Sequence, residues 1–302
     1  MPKVAFITAS NMPKPDLETA GLVDRLWALG CQAAQLTWDA EVDWSVYDLI
    51  VLRTPWDYVE RLEEFLTWIH RVDETTKLFN PAATIEWNAH KRYLLELQAS
   101  GVPVVTTTML TQADQPSIAA FLAQFAGSEV VAKPAISIGA IGALRSTADN
   151  PKMLNHIAKL LTEGDVLFQP FLKEVERTGE VSLIYVNGAY SHAVRKRPKP
   201  GDYRVQDHHG GTVELYEPTE LERSTAEQAL KVAPNRTLYA RIDLVQHEGC
   251  PVVMELELID PELFLRFSDA GMNEYIAAIS AAAFAASGQT ATVSSSDGRN
   301  RR

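Results

Sequence analysis

The chain has 302 residues, 46% of them apolar, and a formal net charge of −11. That length exceeds what one compact core organises and points to two or three subdomains, with ample apolar content for burial. The acidic balance argues against nucleic acid or an anionic membrane as the main partner, so any anion site must be assembled locally from a few Lys and Arg side chains.

Cys31 and Cys250 form no disulfide framework, and with no charged-then-apolar leader before the first strand they fit a reducing cytoplasm. The longest apolar run, from Tyr275 to Ser287, is too short and too Ala-rich to span a bilayer and reads as a packed C-terminal helix.

The first third alternates strand and helix. Val4 to Thr8 reads as a buried strand, and Leu17 to Leu29 as an amphipathic helix stopped by Gly30. Strands at Ala34 to Thr37 and Tyr47 to Leu52 and a helix from Val59 to Val72 follow. This order predicts a small parallel α/β sheet whose ligand edge lies at the carboxyl ends of its strands. Ser10, Asn11, Arg53, Thr54, Trp56 and Asp57 are therefore candidates for a substrate-facing rim, the alternative for Trp56 being a cap on the core. No Gly-x-Gly-x-x-Gly follows the first strand, which argues against a dinucleotide site.

Asn80-Pro81 marks a boundary, after which one helix from Ile85 to Gln98 carries Lys91. Val102 to Met109 reads as a strand and Ile118 to Phe125 as a helix. The strand Glu129 to Pro134 delivers Lys133 at its end, ahead of the small-residue loop Ser137 to Gly142 with Gly139 inside it. Backbone N–H groups in such a loop can approach phosphate oxygens while the ammonium supplies charge, although a plain turn after an edge strand explains the same residues. After a helix from Met153 to Leu161, the stretch Val166 to Leu172 is apolar enough to wall a purine.

Asn187-Gly188 is a strong hairpin signal between Gly179 to Val186 and Ala189 to Lys196. A two-residue turn there pairs Glu180 with Arg195 and Ser182 with Ala193, and leaves His192 as a packed histidine. The basic, Gly-bearing stretch from Arg195 through Arg204 to Thr212 reads as a mobile connection. A second hairpin joins Ala240 to Val245 with Val252 to Leu258. With its turn centred on Gly249, Asp243 lies opposite Glu255, and Glu257 shares their face. Three carboxylates on one face repel unless a cation sits among them, and oxygen-only ligands suit Mg²⁺. The alternative is a solvated face on which Arg241 neutralises Glu257.

The order of these features resembles the ATP-grasp superfamily, which includes glutathione synthetase, D-alanine:D-alanine ligase and the ribosomal-protein glutamate ligases. The resemblance runs to about Ser287 and implies an α/β (α+β) fold, a small parallel N-terminal domain followed by a two-lobed nucleotide-binding module. The expected divisions are 1–84 for the substrate-side domain, 85–175 and 176–287 for the two lobes, and 288–302 for a disordered tail. The resemblance implies ATP phosphates on Lys91, Lys133 and the Ser137 to Gly142 loop, with adenine beside the hinge at Gln169, Phe171 and Leu172. It places ribose near Glu180, the transferred phosphate near Arg195 and Arg204, and the metal on Asp243, Glu255 and Glu257.

Two departures stand out: Ser182 where the glutamate-ligase branch has Arg, and Glu257 where many members have Asn. Leu52 to Tyr58, Trp87 to Leu94, Ser191 to Lys196 and Glu255 to Ile259 look most like the branch that closes D-cycloserine from O-ureido-D-serine. The implied activity is an ATP- and Mg²⁺-dependent carbon–nitrogen ligase acting on a small amino-acid-like substrate held by Arg53, Trp56, Asp57 and Arg195. A homodimer is compatible with it. The alternatives are an intermolecular amino-acid or peptide ligase, and a nucleotide-binding module without turnover.

Overall fold

The computed structural model describes residues 1–12, 16, 18–202, 204–205 and 210–289. Its N-terminal part contains β1 (Lys3–Thr8), α1 (Thr19–Ala28), β2 (Gln32–Thr37), β3 (Leu49–Thr54), α2 (Leu62–Asp73) and β4 (Lys77–Phe79). These strands form a wholly parallel sheet in the order β2-β1-β3-β4. The apolar runs in β1 and β3 are buried on both faces, as crossover helices require. β3 starts and ends two residues later than its sequence suggests, which draws Arg53 and Thr54 into the buried strand end. β4, with three residues, carries too short a pattern to be read in advance.

The expected helix from Ile85 to Gln98 is two helices, α3 (Ala82–Ala89) and α4 (Tyr93–Ala99). His90 is extended at the break (φ −110°, ψ 120°), and the Lys91 N–H donates to Ala135 O at 2.9 Å instead of continuing the helix. The expected strand over 102–109 also divides. Val104 bridges to Val253, and only β5 (Thr108–Leu110) joins the next sheet. Then come α5 (Ile118–Ala123), β6 (Glu129–Pro134), β7 (Leu144–Thr147), α6 (Pro151–Leu160), β8 (Val166–Pro170) and the short α7 (Glu174–Arg177). This sheet is antiparallel, in the order β5-β8-β6-β7. Asn150 caps α6 by accepting from the Lys152 N–H, and Pro151 begins the helix where its missing N–H costs nothing.

The last sheet is antiparallel in the order β11-β10-β9-β12-β13. It comprises β9 (Glu180–Val186), β10 (Ala189–Arg197), β11 (Thr212–Tyr216), β12 (Tyr239–His247) and β13 (Cys250–Glu257). α8 (Glu220–Val232), held by a Thr219–Glu222 capping box, lies between β11 and β12, and α9 (Asp269–Ser287) closes the described chain. β11 and α8 have no counterpart in the sequence reading. α9 includes the expected Tyr275–Ser287 helix and stops at Gly288, whose φ of 67° suits glycine. The expected tail falls, beyond residue 289, outside the described residues, as do residues 203 and 206–209 of the connection before Thr212.

One face of the last sheet packs on α4 and α8 through Leu183, Tyr185, Ile242 and Leu256. On the other, Ile184 and Val186 share a core with Val4 and Phe6 of β1 and with Tyr275 and Ile279 of α9. Burial against α9 thus fixes the parallel sheet to the last sheet. Among the described residues no helix is long and apolar enough to cross a membrane.

Candidate active site

The β12–β13 hairpin brings Asp243 opposite Glu255 and Arg241 opposite Glu257, the expected pairing, by a route the sequence does not reveal. Its turn is Glu248-Gly249, both with positive φ, so His247 pairs with Cys250 and the register starts one residue off. The register then shifts beside Asp243, with Met254 the extra residue, and that irregularity restores the alignment. Oxygens of Asp243, Glu255 and Glu257 come within 4.8 Å of one another. This all-oxygen set fits a hard divalent cation.

The face is not a solvated one. Lys91, Lys196, Arg241 and residues Ser137 to Ile141 line the same cleft as the carboxylates. At the helix break, the Lys91 ammonium lies 3.0 Å from Glu255 Oε1 and donates to Ser137 O at 2.5 Å. Arg241 binds Asp243 at 3.0 Å and also contacts Glu257, so the neutralising pair expected as an alternative exists inside the cluster. Ser182 donates to Asp243 Oδ1 at 2.5 Å.

The expected pairing of Glu180 with Arg195 is not formed. The β9–β10 register shifts between Tyr190 and His192, leaving Ser191 as an extra residue, so Glu180 faces Lys196 and Arg195 faces Val181. α9 meets the strand at this irregularity. Ser191 donates to Glu274 at 2.5 Å, and α9 approaches so closely at Gly271 that a Cβ there would sit 2.4 Å from His192 Nδ1. Lys196 Nζ lies 2.5 Å from Glu180 and 3.2 Å from Asp243. Arg195 turns to the other side of the sheet, its guanidinium 3.9 Å from the Tyr216 ring. His192 is packed, as expected, with Nε2 3.0 Å from Leu263 O.

The remaining candidates divide. Lys133 ends β6 close enough to Lys91 and Glu255 to feel both charges. Ser137 and Gly139 line the cleft, while Gly142 abuts Pro134, where a Cβ would lie 2.8 Å from Cγ. Gln169 donates to Thr107 at 2.8 Å, Leu172 is buried among valines, and Phe171 lies beneath the Arg145 guanidinium at 3.5 Å. Arg204 binds Asp202 at 2.9 Å. Trp56 lines the cleft. Asp57 instead accepts from Trp38 Nε1 at 2.7 Å, and buried Arg53 is bound to Glu18 at 3.3 Å. Sequence reasoning gave no role to Lys196 or Asn88, although both lie in the segments that carried the resemblance, nor to Asp260.

The charges are strongly perturbed. Burial opposes ionisation of Asp243, but Arg241 and Lys196 outweigh it and hold the carboxyl well below its usual range. Burial likewise opposes Glu255, and Lys91 and Lys133 hold it low. Glu257 is pushed up to about 8 by burial against the pull of Arg241, with Glu255 and Asp243 adding repulsion. Burial raises Asp260 to about 7. Burial lowers Lys133, whereas Asp243 and Glu180 raise Lys196 against the burial effect. Glu180 is raised by burial despite Lys196. Functional clefts commonly push neighbouring groups apart in this way, as do buried ion-pair networks.

Comparison with known proteins agrees with this architecture. Residues 4–80 match the family described as D-cycloserine synthetase DcsG, N-terminal domain, and residues 96–253 match the prokaryotic glutathione synthetase ATP-grasp domain. The cycloserine biosynthesis protein DcsG of Streptomyces lavendulae is 33% identical over 301 residues, covering 91% of this chain and 97% of the relative. A probable alpha-L-glutamate ligase of Aeromonas salmonicida is 30% identical over 33% of this chain and 32% of its own. The crystal structure of D-cycloserine synthetase DcsG superposes with a TM-score of 0.82 at 30% identity, covering 93% of this chain and 99% of that one. The chain therefore belongs to the DcsG family of ATP-grasp proteins and is an ATP-dependent carbon–nitrogen ligase.

Proposed function

We propose that the protein closes D-cycloserine from O-ureido-D-serine at the expense of ATP. The observation that carries this reading is the match of residues 4–80 to the DcsG N-terminal domain, because the ATP-grasp portion alone is shared with ligases of other substrates. The cleft supports it chemically. Lys91, Lys133 and the small-residue loop from Ser137 to Gly142 hold the nucleotide phosphates, and Lys196, oriented by Glu180, takes the place near the transferred phosphoryl group first given to Arg195. Asp243, Glu255 and Glu257 hold Mg²⁺, which supplies charge neutralisation at the phosphates.

A substrate carboxylate oxygen bonds to the γ-phosphorus as the bond to ADP breaks, giving an acyl phosphate. Arg241, paired with Asp243 and Glu257, orients that carboxylate, and Trp56 and Tyr58 close the amino-acid end. The aminooxy nitrogen of the same molecule then bonds to the acyl carbon and inorganic phosphate leaves, so ring closure carries the advantage of an intramolecular reaction. The carbamoyl group absent from the product leaves by hydrolysis as carbamate. The Ser137 to Gly142 loop keeps water from the acyl phosphate.

Mass spectrometry of a mixture of enzyme, ATP, Mg²⁺ and O-ureido-D-serine tests the reading, with ADP and D-cycloserine expected in equal amounts. ADP release that requires an added amino acid or peptide, with a coupled product, would establish an intermolecular ligase instead.

A further inference from the structure

β13 is the last strand of its sheet, and an edge strand leaves a row of backbone groups to be satisfied. Among the described residues no further strand does this work at the metal carboxylates. Residues 103–105 engage Val253 from Pro103 O and Val105 N at 2.8 and 3.0 Å, and Tyr93 OH accepts from the Leu256 N–H at 3.2 Å. Asn88, buried on α3, then donates from Nδ2 to Leu256 O and accepts the Leu258 N–H on Oδ1, both at 2.8 Å. Asn80 donates to Leu258 O at 2.7 Å.

A side-chain amide offers one donor and one acceptor side by side, as a neighbouring strand's peptide groups do. The two backbone groups that Asn88 captures flank Glu257, whose own peptide faces β12 through the Arg241 pair. Both edges of the strand at Glu257 are therefore tied, one by β12 and one by Asn88. We infer that Asn88 is a positioning residue for the metal site, fixing the backbone from Leu256 to Leu258 so that the Glu257 carboxylate stays within reach of Asp243 and Glu255. This deepens the proposed function and rests on its assignment of the metal to those carboxylates.

The test uses the full chain and Mn²⁺ as the probe. Asn88→Ala should weaken Mn²⁺ binding in the presence of ADP at least tenfold by electron paramagnetic resonance. It should also accelerate hydrogen exchange of the Leu258 amide at least tenfold, while ADP affinity in EDTA stays within twofold. If that variant does not fold, Asn88→Ser is measured the same way with the same expectations. Mn²⁺ affinity within twofold of the parent, or unchanged exchange at Leu258, would overturn the inference. Glu257→Gln separates the two ideas. If it leaves Mn²⁺ affinity unchanged, the metal assignment falls and the inference with it. If it weakens Mn²⁺ while the Asn88 variant does not, only the inference falls.

Discussion

Lys196 Nζ lies 2.5 Å from Glu180 Oε1, and this contact exists because β10 carries one extra residue at Ser191. The irregularity exchanges the faces of Arg195 and Lys196, putting the ammonium in the cleft and the guanidinium over Tyr216. Lys196→Met should therefore lower kcat by about 10²–10³, the usual cost of losing one preorganised group at a transferring charge. Arg195→Met should leave kcat within about threefold, losing only a stacked cation worth about 0.5–1 kcal/mol. Steady-state ADP release decides, and the reverse order of effects would return the phosphate-facing role to Arg195.

The same contact makes Gly179 sensitive. Its φ is +81°, and a Cβ would lie 2.3 Å from the Lys196 carbonyl oxygen, a backbone atom that cannot swing aside. Gly179→Ala should cost about 1–3 kcal/mol from the left-handed conformation alone. It should also reduce kcat by displacing Lys196. A denaturation curve combined with a turnover assay checks both, and a variant with parental stability and turnover would refute the argument.

How much of this was legible in the sequence depended on the range of the forces that set each feature. β1, β6 and β8 carry apolar patterns that burial dictates locally, and their positions were readable, whereas β3 was read two residues early. Asp243, Glu255 and Glu257 could be gathered on one face because strand alternation is a local rule. The Ser191 irregularity was not readable, and the groups that meet it, Glu274 and Gly271 of α9, lie eighty or more positions away. The break at His90 has the same character, being satisfied by Ala135 and leaving Lys91 aimed at Glu255. β11 shows no strict two-residue burial alternation, with Glu214 and the apolar Leu215 both exposed, so its pairing with β10 carried no clean periodic signal.

Asp57 illustrates the opposite error, a rim position whose side chain turns inward. Its carboxylate accepts from Trp38 Nε1 at 2.7 Å and lies 3.8 Å from Arg61, which in turn sits 4.3 Å from the Trp38 ring. Asp57→Ala leaves the buried indole N–H without an acceptor, at about 1–3 kcal/mol. The expected result is a lowered melting temperature with KM for the amino-acid substrate within about twofold of the parent. A KM rise of tenfold or more with unaltered stability would restore Asp57 to the substrate rim.

Glu257 contributes to the pH dependence of the metal-free protein. Burial and the neighbouring carboxylates raise it from an ordinary 4.5 to about 8. Between those values the folded chain keeps a proton that the unfolded chain has released, so stability falls as pH rises through about 8 and is gained on acidification toward 4.5. Asp260, raised to about 7, acts in the same direction. Metal binding reverses the sense, because a cation must displace the proton. Affinity for Mg²⁺ should accordingly rise with pH, at most about tenfold per unit, until Glu257 is ionised. Calorimetric melting of the parent and Glu257→Gln in EDTA from pH 6 to 9 isolates the contribution. The parent should lose stability relative to the variant as pH rises, and parallel melting profiles would show that Glu257 titrates normally.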